Sequence, residues 1–155
     1  MIKELNADQS IYINKIRTDY LRNFVQDALM EFGTTSKLNK ANKVADIVWQ
    51  KFEHLNYINE NVQHQFVDIT IAGSLLHNLF YVPSDISTIL KHRTKLKEIA
   101  EKNHLDERLS NLIYEMIEAQ LGENHPIQKL KPPANSPSST LADAIWQVNT
   151  YRSRI

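Results

Sequence analysis

NVQHQFVDITIAGSLLHNLFY, residues 61–81, is the stretch on which the fold turns. Its centre, Val67-Asp68-Ile69-Thr70-Ile71, alternates apolar and polar residues as a strand does, and is rich in β-branched side chains. A wider window points the other way. Val62, Phe66, Ile69, Gly73, Leu76, His77 and Phe80 recur at helical spacing over about twenty residues, against about five or six for an ordinary strand. The stretch reads as a helix, and with it the protein reads as all-α.

The flanks carry the same period. Upstream, Leu38, Ala41, Ala45, Val48, Trp49, Phe52 and Leu55 share one face of a helix that starts near Thr35-Ser36. Before that, Ile13, Ile16, Tyr20, Leu21, Phe24, Ala28, Leu29 and Phe32 predict one long helix over 7–32, opened by an Asn6/Gln9 capping box and stopped by Gly33. Downstream, Pro83 ends the central element, and Ser84-Asp85 can cap a helix carrying Ile89, Leu90, Leu96, Ile99 and Ala100. A further helix is expected from about 105 to 121, with Leu109, Leu112, Ile113, Met116 and Ile117 inside and Gly122 beyond its end. The stretch ENHPIQKLKPPANSPSS, residues 123–139, holds four of the five prolines and cannot be helical. Ile127 and Leu130 give it apolar anchors, so an ordered loop is expected there, before a last helix over 140–152. The expectation is one compact domain, 1–155, of about six helices.

Composition agrees. A length of 155 residues suits one domain with a sizeable core, and three glycines suit helices better than a turn-rich β fold. Eighteen Lys and Arg balance eighteen Asp and Glu, so no overall field draws the chain to nucleic acid. No cysteine is present, which excludes disulfides, thiol nucleophiles and cysteine zinc sites. MIKELNADQ has no basic-then-apolar signal, and no run reaches the apolar length of a membrane span, so a cytoplasmic protein is expected. Lys91, Arg93, Lys95 and Lys97 form a local basic patch that reads as a solvated face. Trp49 and Trp146 sit at helical spacing among apolar neighbours and read as packing residues.

Three strings, KANKVADIV (40–48), AGSLLHNLF (72–80) and LADAIW (141–146), together with the order of elements, resemble the HD-domain superfamily of metal-dependent phosphohydrolases, an all-α fold. The resemblance covers roughly residues 36–146, with an HD-like core over 36–122. In that family the first string opens with a histidine, the second reads His-Asp, and the third gives a last aspartate, which together hold one or two divalent metals. The tail GENHPIQKLKPPANSPSSTLADA is similar to that of small HD-like proteins of bacteriophages. This resemblance implies the cytoplasm of an infected bacterium and a host protein as partner.

Carried over by position, His77 matches the second histidine and Asp143 the last aspartate. Asn78 stands where the family has its aspartate, and Lys40 where it has its first histidine. An amide oxygen can ligate a hard metal but brings no charge, and an ammonium has no lone pair and repels the cation. Other histidines do not rebuild the set. His64 lies thirteen residues before His77, about 220° round and about 20 Å along one helix. Asp68 falls on the opposite side of that helix, and His54 is about 21 Å along its own helix from Lys40. His125, in the proline-rich loop, is the histidine that geometry leaves open.

Simpler roles suit the same residues. His77 sits on an apolar stripe, where a hydrogen-bonded core histidine fits, and Asp143 takes the acidic place of a capping box begun by Thr140. Lys40, with Lys37 and Lys43 beside it, reads as a solvated lysine, or as an ammonium pairing with Asp143 in place of a metal. The resulting expectation is a degenerate HD-like protein that binds a partner protein or a phosphorylated ligand, with no cofactor and with self-association left open. Its rivals are an active phosphohydrolase using Mn²⁺, Mg²⁺ or Zn²⁺ held by His77, Asn78, Asp143 and His125, and a helical interaction module.

Overall fold

The computed structural model describes residues 4–54, 64–79 and 86–118. They form five α-helices: α1 (Asp19–Phe32), α2 (Thr35–His54), α3 (His64–Leu76), α4 (Ile86–Lys102) and α5 (Glu107–Glu118). A single 3-10 turn, Ile13–Lys15, precedes them. No strand occurs among the described residues, so the described part is all-α as its periodicity implies. The expected loop at 123–139 and helix at 140–152, with His125, Asp143 and Trp146, lie outside the described residues.

Helix α3 is the axis of the arrangement and packs against α1, α2 and α5. Every residue from Val67 to Leu79 is buried, which explains why the sequence there is ambiguous. A helix enclosed on all sides needs no polar face, so its periodicity is faint and its β-branched residues are set by packing. Ser74, buried within it, donates to Thr70 O at 2.7 Å. Around it, Leu21, Phe24, Val25, Ala28 and Leu29 of α1 and Leu38, Ala41, Val44, Ala45, Val48 and Phe52 of α2 are at most 1% exposed.

The N-terminal part differs from the sequence expectation. The Asn6/Gln9 box forms, with Asn6 N–H on Gln9 Oε1 at 3.0 Å and Gln9 N–H on Asn6 Oδ1 at 2.9 Å. It does not open a helix over 7–32. The chain turns through 7–12, makes the 3-10 turn, becomes extended at Ile16 and Thr18, and enters α1 only at Asp19. A carboxylate fifty residues away holds this break. Asp68 of α3 accepts Arg17 N–H on Oδ1 at 3.1 Å, and Thr18 N–H and Oγ1–H on Oδ2 at 3.1 and 2.7 Å. Amide groups that a continuous helix would have bonded internally are bonded to Asp68 instead. Ile13 and Ile16 remain buried, but Tyr20 of the same set is exposed, so the apolar spacing was right about most of the burial and wrong about continuity.

The other ends follow local chemistry. Thr34 Oγ1 accepts Lys37 N–H at 3.2 Å and caps α2 one residue before the expected Thr35-Ser36 start. Helix α4 closes with Leu105 N–H on Ala100 O at 3.0 Å and His104 N–H on Glu101 O at 3.1 Å, a Schellman pair with His104 at φ 58°. Asp106 then caps α5 through Leu109 N–H at 2.8 Å. Asn103 Nδ2 and Lys102 Nζ reach Asp27 Oδ2 at 3.0 and 3.8 Å, fastening the end of α4 to α1.

Candidate functional site

The C-terminal end of α3 meets the N-terminal end of α2, and there the string AGSLLHNLF places His77 and Asn78. His77 is 3% exposed, with Nδ1 2.6 Å from Ser74 O. A carbonyl oxygen only accepts, so Nδ1 carries the proton, and in the neutral ring the lone pair belongs to Nε2. Metal-binding histidines are oriented by the same kind of bond, and so are many core histidines.

Asn78 is buried as well. Its Nδ2 donates to Lys37 O at 2.9 Å, while its Oδ1 is buried with no hydrogen-bond partner among the described residues. Lys37 returns the tie: its Nζ donates to Leu79 O at 3.2 Å. An ammonium thus sits on a carbonyl just past the C-terminal end of α3, where the helix macrodipole favours positive charge. The reciprocal pair, amide to carbonyl and ammonium to carbonyl, joins α2 to α3.

Lys40, expected at a first-ligand place, is one turn further along α2 and exposed, and no described hydrogen bond or ion pair joins it to His77 or Asn78. The lysine that reaches this corner is Lys37. Asp143 and His125 lie outside the described residues, so the full expected set cannot be assembled from the described ones. Among the described residues no group of three His, Asp or Glu side chains comes together as a metal site would require. His54 ends α2 and His64 begins α3, at the end of α3 remote from His77, in keeping with the spacing argument.

A second polar centre lies where the N-terminal segment crosses α2. Tyr12 Oη donates to Asp46 Oδ1, and Asp46 Oδ2 accepts Gln50 Nε2 at 3.0 Å. Burial, then the hydrogen bond to Asp46 and the charges of Asp46 and Glu53, push the Tyr12 phenol well above its usual range. Lys15 Nζ lies 4.4 Å from the Trp49 ring centroid, and Trp49 Nε1 donates to Glu53 at 2.8 Å. Trp49 is therefore a half-buried bracket between the segment and α2.

Asp68 and Lys37, like Tyr12 and Asp46, are residues that periodicity alone does not single out. For Asp68 a signal exists: it is the one Asp, Glu, Lys or Arg between His64 and Leu79, and a charge inside an enclosed helix must find partners. For Lys37 no local signal exists, because its role depends on where α3 ends. Among the described residues no helix is long and apolar enough to cross a membrane. No protein-family model, curated protein or solved structure matches the chain.

Proposed function

We propose that the chain is an all-α binding domain with an HD-like pattern, which acts by engaging a partner protein rather than by metal-dependent hydrolysis of phosphate esters. The observation that carries this reading is the state of Asn78. It stands where the resemblance places a metal-binding carboxylate, brings no charge, and spends its amide on Lys37 O. A divalent cation bound there would face a half-buried ammonium, because Lys37 is fixed nearby on Leu79 O. Lys40 offers no lone pair at the first-ligand place. A corner so tied supports a scaffold that holds α2 against α3 and presents the outer face of α2. If the bacteriophage-like tail reflects kinship, the partner is a host protein and the setting is the host cytoplasm.

The test is metal dependence. Melting temperature is measured with and without Mn²⁺, Mg²⁺ and Zn²⁺, and a panel of nucleotides and phosphodiesters is assayed for turnover. The expected result is no metal-dependent stabilisation and no hydrolysis. Stoichiometric metal together with turnover that disappears in His77→Ala overturns the reading in favour of a phosphohydrolase.

A further inference from the structure

We propose that the exposed edge of α2 formed by Lys40, Lys43, Ile47 and Lys51 is a docking surface for an acidic helical segment of a partner protein. This proposal rests on reading the chain as a binding domain and names the surface it uses. The four positions fall at i, i+3, i+7 and i+11, within a strip about 80° wide and about 16 Å long. All three lysines are exposed, and Ile47 at the middle of the strip is only partly buried. Among the described residues none of the three lysines forms an ion pair.

The imbalance has a structural origin. Helix α2 carries two acids, Asp46 and Glu53, and both are turned to other work. Asp46 takes the Tyr12 hydroxyl and the Gln50 amide, and Glu53 takes the Trp49 indole. The N-terminal segment and its bracket thus draw the negative charge of the helix to one edge and leave the other edge positive. On helix α4, by comparison, Lys95 pairs with Glu98 at 3.6 Å and Lys102 with Asp27 at 3.8 Å, while Lys91 and Lys97 form no ion pair among the described residues. In a chain of zero formal charge, a lysine edge unpaired among the described residues is a local feature that a complementary partner can match.

Charge and shape narrow the partner. A helix laid along α2 would set carboxylates one turn apart against the lysines, and one apolar residue against Ile47. Nucleic acid fits less well. The strip has no arginine for bidentate contacts and no aromatic side chain for stacking, and three lysines neutralise few phosphates. Exposed pairs are individually weak, so binding should be modest and should fade with salt.

The full-length ¹⁵N-labelled chain can be titrated with a synthetic acidic helix that carries Glu at three one-turn positions around a central Leu. The same peptide with Gln for Glu and a short single-stranded oligonucleotide serve as comparison probes. The expected result is amide shift changes concentrated over residues 40–51 with the acidic peptide alone. Affinity should fall about tenfold or more in Lys40→Glu/Lys43→Glu/Lys51→Glu, and should hold in Lys91→Glu/Lys95→Glu/Lys97→Glu, an equal charge change on α4. Helical circular dichroism of both variants verifies that each is folded. Equal loss in the two variants, no binding of the acidic peptide, or preference for the oligonucleotide overturns the proposal. Metal-dependent turnover of the wild-type chain would instead remove the binding-domain reading, and is read in a separate experiment.

Discussion

Asp68 is 1% exposed and carries a charge, a combination that survives because three donors from Arg17 and Thr18 meet its two oxygens. Asp68→Ala leaves two backbone amides without their acceptor and should cost about 3 kcal/mol in urea denaturation, given charged hydrogen bonds of about 1.5–3 kcal/mol each and incomplete additivity. Asp68→Asn, which retains one acceptor oxygen, should cost less. Lys40→Ala should change stability by about 0–1 kcal/mol, as befits an exposed lysine, and not by the larger loss expected of a buried ion pair. For Tyr12 the sign follows from its raised pKa. The unfolded phenol ionises near 10.0, whereas the folded one keeps its proton to higher pH. The stability it contributes is therefore complete below the unfolded value and declines as pH rises past it. Tyr12→Phe should flatten that decline in denaturation curves recorded between pH 9 and 11. Proximity in the chain made the Asn6/Gln9 box legible; the donors for Asp68 come from fifty residues away, and no local pattern encodes them.

Each helix was legible to the extent that one of its faces met solvent. Helices α2, α4 and α5 alternate buried and exposed residues at helical spacing, and α2 begins within a residue of its expected cap. Helix α3 has no exposed face among Val67–Leu79, so only its length told it from a strand. The segment before α1 shows the converse error, because buried residues at helical spacing need not lie on one helix. The α4–α5 junction supplies an element-scale prediction. His104 occupies the left-handed region, which costs a side-chain-bearing residue about 1 kcal/mol and a glycine little. His104→Gly should thus stabilise by up to about 1 kcal/mol, while Asp106→Ala, which removes the α5 cap, should lose about 1 kcal/mol. Thermal melts of the two variants, shifting in opposite directions, provide the check.

Across the molecule, the candidate corner was legible as far as one helix carries it: His77 and Asn78 come together because they are neighbours in the chain. Lys40 has a place there only through the family resemblance; in the structure Lys37 bonds the corner through Leu79 O, and Lys40 stands exposed one turn further along α2. The N-terminal segment is the other large-scale feature, spanning α2 through Tyr12 and Lys15 and reaching α3 through Arg17 and Thr18. A chain that lacks residues 1–18 should melt earlier and bind a hydrophobic dye, since Ile13 and Ile16 no longer cover the core and the donors to Asp68 are gone. The same contacts impose an order on synthesis. Residues 4–18 are made before α3, and the carboxylate that fixes them is added only some fifty residues later. At about 5–20 residues per second, that segment waits for seconds with its isoleucines bare, and docks only once α3 is free to receive it.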